Sequence, residues 1–180
     1  MLNWLKRKDE FDLALDNISN LYNTRVGINL RLKRIDRKAL EQAGEWHTSM
    51  GGAFDWHEIP RETKFNSRKR FVVSIAMWVD DQLCGLAIGR RSKAGKILVI
   101  FYIEGSPRGN HPLKGHVLKI VDAVAQEYAS TLPDGLDEIW IADPLPELIR
   151  HYEDIGYFHL DKVSDGHKYS IKALREGGRP

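Results

Sequence analysis

The densest group of residues able to do chemistry lies at 104–116, EGSPRGNHPLKGH. The turn-rich run Gly105-Ser106-Pro107-Arg108-Gly109 follows an apolar stretch at 97–103. It leads into a helical pattern that is expected to open at His111-Pro112. Strand, glycine-containing turn and helix in that order make a cradle for an anion. The first N–H groups of a helix have no intrahelical partner, and the helix dipole is positive there. Arg108 and Lys114 add positive charge beside those groups. The segment therefore points to a phosphate-bearing ligand.

A second group lies upstream. Trp46-His47 and Trp56-His57 are ten positions apart, with Asp55 and Glu58 close by. Two indoles and two carboxylates suit a cationic or aromatic group through cation–π and charge contacts. The same indoles would equally anchor a long loop onto a core. His47 and His57 have no further ligands at metal-binding spacing, so no metal is expected. The single cysteine, Cys84, sits in an apolar strand pattern without an adjacent base and reads as a small core residue.

These groups need elements to hold them. Residues 3–22 read as a helix, with Phe11, Leu15, Ile18 and Tyr22 in one stripe. Val26, Ile28, Leu30 and Leu32 alternate with polar residues, as in a half-buried strand. Asp36 is placed to cap a helix carrying Leu40 and Ala43. Residues 44–66, with Gly44, Gly51, Gly52 and Pro60, read as a long irregular binding loop. Strand patterns at 71–79, 83–88 and 97–103, with turns at Asp80-Asp81 and Lys93-Ala94-Gly95, make a three-strand meander. The helix from about 112 to 130 would bury Val117, Ile120, Val121, Val124 and Tyr128.

Residues 138–142 follow as a short strand. Asp143 and Pro144 are read as cap and first residue of a further helix, which faces inward with Leu145, Leu148, Ile149 and Tyr152 and stops at Gly156. A hairpin closes the chain, with strands at 157–163 and 167–171 around Ser164-Asp165-Gly166. The expected fold class is α/β. It has a single central mixed, mostly antiparallel sheet of about six to seven strands flanked by helices. Residues 1–24 form an N-terminal helical extension, 25–172 the main domain and 173–180 a loose tail. The apolar stripe of the first helix packs on this domain or, alternatively, forms a homodimer or partner contact.

The totals set outer limits. The chain has 180 residues, 42% of them hydrophobic, with a net charge of +2. That length supports one full-sized core. With 29% charged residues and no long apolar run, no transmembrane span is expected. The first residues lack a signal-peptide pattern, and one cysteine suits a reducing cytoplasm. Basic residues cluster at Arg31, Lys33, Arg34, Arg37 and Lys38, and at Arg61, Lys64, Arg68, Lys69 and Arg70. The clusters leave a nucleic-acid partner open without favouring one, since no nucleic-acid motif accompanies them.

The element order resembles the GNAT superfamily of acyl-CoA-dependent N-acyltransferases over roughly residues 25–172. Three places carry the likeness. The first is the strand at 97–104 with Pro107 soon after it. The second is the loop Asn110-His111-Pro112-Leu113-Lys114-Gly115 with Leu118 after it. Family members usually carry Gln or Arg, two residues, Gly, one residue, then Gly or Ala; here the last glycine alone matches. Leu113 stands where a glycine usually lets the backbone approach a diphosphate, and Pro112 removes one N–H. The third place is the most specific. In Leu148-Ile149-Arg150-His151-Tyr152-Glu153-Asp154-Ile155-Gly156-Tyr157 a tyrosine is followed four residues later by Gly and an aromatic. The Asn often found seven residues before that tyrosine is Leu145 here.

The resemblance implies acetyl-CoA as co-substrate and a primary amine as acceptor. It makes Tyr152 the acid that protonates the departing sulfur. It places Glu104 where the sheet splits and the amine enters, as direct or water-mediated base; the alternative is a solvated strand-end carboxylate. The backbone of Ile103 and Gly105 would pair with pantetheine amides. Asn110, Leu113, Lys114, Gly115 and His116 would meet the diphosphate, with Arg108 nearby. Trp46, Trp56 and Glu58 would border the acceptor pocket. The altered loop and the basic clusters motivate an alternative: a catalytically weak binding module of the same fold that regulates a protein or RNA partner.

Overall fold

The computed structural model describes residues 2–59, 72–161 and 166–175, and of residues 2–9 the backbone alone. The basic cluster at 61–70 and most of the expected turn at 164–166 lie outside the described residues. The chain runs α1 (Leu2–Val26), β1 (Leu30–Lys33), α2 (Arg37–Met50), β2 (Val72–Val79), β3 (Gln82–Arg91), β4 (Ile97–Gly105), α3 (Val117–Thr131), β5 (Glu138–Ala142), a 3-10 turn (Pro146–Leu148), α4 (Ile149–Asp154), β6 (Phe158–Leu160) and β7 (Tyr169–Ala173). The seven strands form one sheet in the order β1-β2-β3-β4-β5-β7-β6. β4 and β5 pair in parallel, and every other neighbouring pair is antiparallel. The parallel pair needs a crossover, and α3 supplies it.

Each face of the sheet carries a core. On one face, α1 and α3 pack over Met77, Ala87, Leu98, Ile100 and Ile139, joined by Tyr152 and Tyr157. Phe11 of α1 meets Tyr128 of α3 edge-on at 5.1 Å, which ties the N-terminal helix to this domain. On the other face, α2 and the loop after it pack Ala39, Ala43, Trp46, Trp56 and Ile59 over Trp78, Leu83, Leu86 and Ile88.

Four expected boundaries move. Val26 closes α1, and β1 spans Leu30–Lys33 with Leu30 and Leu32 inward. The helix capped by Asp36, whose carboxylate accepts the Ala39 N–H at 2.8 Å, continues to Met50. The irregular segment therefore begins at Gly51 and not at Gly44. Gly44 does not break the helix because its missing side chain makes room for the His57 ring. A Cβ there would lie 2.1 Å from Nε2. Gly51, at φ 72°, ends the helix.

The crossover helix opens at Val117 and not at Pro112. The Lys114 and His116 N–H groups bond back three residues, and Gly115 sits at φ 77°. Tight turns and a left-handed residue cannot continue into an α-helix. Asp143 does not cap a helix. At φ 45° it turns the chain out of β5, and its carboxylate accepts the Lys168 N–H at 3.1 Å and pairs with His167 at 2.8 Å. Leu145, expected inward, is 46% exposed.

Candidate active site

The site is built around β4. Residues 97–100 pair with 138–141 of β5, and the parallel pairing stops there. On its other side β4 stays paired with β3 as far as Gly105, which faces Gly85. The register with β3 shifts at the Ile88/Gly89 step, leaving Phe101 as an extra residue in β4. A bulge bends and twists a strand, and β4 diverges from β5 from this point. Residues 101–105 thus present alternate N–H and C=O groups to a gap, with no strand partner on the β5 side among the described residues.

The gap leads to the loop before α3. Asn110, Lys114, Gly115 and His116 are exposed along that loop. Nothing lies within 4 Å of where a Cβ on Gly109 or Gly115 would stand. The N–H groups of Val117, Leu118 and Lys119 open the helix and have no intrahelical partner. Leu113 is 1% exposed, its side chain turned into the core. It therefore puts no bulk into the cradle, although a leucine there had suggested obstruction. Arg108 pairs with Glu45 of α2 at 3.6 Å, with both side chains half exposed.

Glu104, near the end of β4, is not a solvated strand-end carboxylate. Its Oε1 accepts the Ala53 N–H at 2.5 Å, and its Oε2 accepts the Trp56 Nε1–H at 2.6 Å. Burial pushes its carboxyl above the ordinary glutamate range, and the Trp56, Ala53 and Phe54 hydrogen bonds and the nearby His47 oppose that shift. Phe54 packs edge-on against Tyr102 at 5.2 Å, forming an aromatic wall beside Glu104. Ala53 was invisible to sequence reasoning because it contributes a main-chain N–H.

Trp46 and Trp56 are 2% and 0% exposed and offer no open ring face. An aromatic side chain buries roughly 150–250 Å², which at about 25 cal/mol/Å² is about 4–6 kcal/mol of apolar burial each. They fasten α2 and the loop to the sheet, and Trp56 also holds Glu104. Glu58 is exposed on the same loop.

Tyr152 projects from α4 into the opposite core and is 5% exposed. Its hydroxyl makes no hydrogen bond among the described residues. Burial, with the charge of Glu147, pushes its pKa up to about 12, so it carries its proton across the physiological range. Tyr157 packs against it with ring centroids 6.3 Å apart.

His111, to which the sequence assigned no role, is 6% exposed beside Gly105, and its Nδ1 has no partner. Burial, and then Lys114, lower its pKa. Cys84 is fully buried, and burial raises its thiol pKa. No group of three or more His, Cys, Asp or Glu among the described residues could hold a metal. No described helix is long and apolar enough to cross a membrane.

One mixed sheet that splays beside a bulged central strand, with a glycine turn and helix N-terminus at the end of the gap, is the GNAT fold. Among solved structures the chain is similar to the ribosomal-protein-S18-alanine N-acetyltransferase of Escherichia coli (TM-score 0.59, 16% identity, 83% of this chain and 96% of that one). It is also similar to Ard1 from Thermoplasma volcanium (0.57, 13%, 82% and 99%). A third is an aminoglycoside acetyltransferase in complex with coenzyme A and kanamycin (0.59, 15%, 81% and 95%). At these identities the likeness is one of fold. No family model matches the sequence, and no curated protein matches it.

Proposed function

We propose that this chain is an N-acetyltransferase that moves an acetyl group from acetyl-CoA directly to a primary amine. The observation that carries the reading is the unpaired stretch 101–105 of β4, which runs into the open N-terminus of α3. An extended chain bearing amides suits the strand edge, and a diphosphate suits the helix end. Gly109 and Gly115 leave the cradle clear, and Leu113 turns away from it. Arg108 and Lys114 supply charge, while Pro112 removes one N–H from the usual set. The fold neighbours crystallised with coenzyme A support the same donor.

Acetyl-CoA would supply a thioester whose carbonyl carbon is open to attack. Glu104 takes the proton of the incoming ammonium, directly or through water, because burial has made it more basic than a solvated glutamate. Backbone N–H groups of the splayed strand are donors for the developing oxyanion. In this reading Tyr152 is the group assigned to the departing sulfur. A phenol with a pKa of about 12 is less acidic than a thiol at roughly 8.5. Full proton transfer to the thiolate is therefore uphill, by about 5 kcal/mol at 1.36 kcal/mol per unit. Tyr152 therefore acts as a hydrogen-bond donor to the sulfur as the bond breaks. Among the residues described, none is an exposed nucleophile placed for a covalent intermediate, which favours direct transfer. Glu58 and the aromatic wall at Phe54 and Tyr102 border the acceptor side.

The test is acetyl-CoA binding by calorimetry, followed by thiol release with spermidine, kanamycin and an alanine-starting peptide as acceptors. Tyr152→Phe is expected to keep acetyl-CoA affinity and to lose about 10²-fold in kcat or more. Failure of the wild type to bind any acyl-CoA would remove the acyltransferase reading and leave a binding module of this fold.

A further inference from the structure

The face of α3 turned toward the core is apolar except for Asp122, which is 7% exposed and sits between Val121 and Val124. A buried carboxylate is costly unless it is paired and hydrogen-bonded. Three side chains satisfy this one. The Tyr157 hydroxyl donates to Oδ1 at 2.9 Å. Gln126 and Lys172 donate to Oδ2 at 2.8 and 2.7 Å. The Lys172 ammonium also lies 5.0 Å from the centre of the Tyr157 ring. One carboxylate thus joins α3, β7 and the short turn after α4.

Tyr157 is tied in turn to Tyr152. Its N–H donates to the Tyr152 carbonyl at 3.0 Å, and the rings meet at 6.3 Å. Gly156, at φ 92°, makes the turn between them, and a Cβ there would stand 3.3 Å from the Lys172 Cε. Apolar packing alone resists a small slide of one element over another weakly. A hydrogen bond of fixed length and direction to a buried acceptor does not yield in that way.

We propose that the hydrogen bond from Tyr157 to Asp122, its buried charge balanced by Lys172, is a positioning device that sets the Tyr152 hydroxyl relative to α3, the helix whose N-terminus forms the cradle. The functional part of this inference rests on the acetyltransferase reading. Asp122 and Tyr157 act through Tyr152 and are not themselves catalytic residues. A misplacement of about 1 Å in a reacting group costs on the order of 10²-fold in rate, so a modest loosening is visible in turnover.

Three variants separate positioning from mere stability. Tyr157→Phe removes the hydroxyl and keeps the ring. The pair Asp122→Asn with Lys172→Met removes both charges and keeps a carbonyl oxygen for the Tyr157 hydroxyl. The pair Asp122→Leu with Lys172→Met removes the acceptor altogether and keeps an apolar core. The first and third are expected to lose about tenfold or more in kcat, with the KM for acetyl-CoA within about twofold. The second is expected to stay near the wild type.

A readout independent of turnover is 19F NMR of protein labelled with 3-fluorotyrosine, in which the fluorine brings the phenol titration into an accessible range. The Tyr152 resonance, assigned with Tyr152→Phe, is expected to titrate lower in the first and third variants as the ring becomes better solvated. It is expected to stay at the wild-type midpoint in the second. Circular dichroism confirms that each variant is folded. If Tyr152 titrates alike in all folded variants, the positioning inference is overturned. If the wild type turns over no acyl-CoA, the acetyltransferase reading falls separately and the fluorine titration still decides the geometry.

Discussion

Replacing Trp56 by Phe is expected to raise the pKa of Glu104. The indole N–H donates to Oε2 at 2.6 Å, and the phenyl ring cannot. A hydrogen bond to a charged group contributes about 1.5–3 kcal/mol. At 1.36 kcal/mol per unit, its loss moves the carboxyl up by about one to two units. The Ala53 N–H, at 2.5 Å from Oε1, remains and keeps the shift from running further. The folded-state pKa of Glu104 already lies above its unfolded value. The folded protein therefore holds the extra proton between those two values, and stability falls as pH rises through that window. In the variant the window widens upward. The assay is a 13C titration of δ-labelled glutamate, with the Glu104 signal assigned by Glu104→Gln, alongside urea unfolding across the same pH range. A general loss of stability is also expected from the void left by the second indole ring and is not diagnostic. A midpoint that stays in place or moves down would refute the assignment of Trp56 as the group that holds this carboxylate in its charged form.

Gly115→Glu places a side chain and a negative charge in the open cradle. It is expected to abolish acetyl-CoA binding, which in the wild type should be micromolar, about −8 kcal/mol, while Gly109→Ala retains it; equal affinities by calorimetry would move the donor site elsewhere. His111 has a folded-state pKa below its unfolded value. Its contribution to stability should therefore be complete above the ordinary histidine range and decline as pH falls from about 6.5 toward the depressed value. His111→Leu should remove that part of the slope in urea unfolding. Asp36→Ala removes the cap of the helix that carries Trp46 and should cost about 1 kcal/mol in urea unfolding; no change would mean the α2 N-terminus is held from elsewhere.

The β2-β3-β4 meander was legible because its strands alternate or run apolar and the Asp80-Asp81 turn separates two of them, with Asp80 at φ 50°. The inward face of α3 was legible from its spacing, and Val117, Ile120, Val121, Val124 and Tyr128 are all buried. Apart from the start of α3, which local turns around Gly115 delay, what failed depended on contacts between distant segments. Gly44 looked like a helix breaker, and only the ring of His57 explains why it sits in a helix. Asp143 looked like a cap because Pro144 follows it, yet its partners are His167 and Lys168. The setting of Glu104 depends on a main-chain N–H 51 positions away and an indole 48 positions away, and no local pattern encodes either. Asp122 read as one polar residue on an apolar helix, and its three partners appear only in the folded chain.

The divergence of β4 from β5 creates a sheet edge in the interior of the sheet. Proteins defend outer edges against a foreign strand with charge, proline or a covering loop. Along 101–105 the one charged side chain, Glu104, is engaged by the Ala53 N–H and the Trp56 indole rather than set out as a guard. The two walls of the gap meet at Ile100 and Ile141, the last pair of the parallel ladder. On the acetyltransferase reading, the pantetheine arm of the donor is the chain that would lie along this inner edge, its amides taking the place of a strand's.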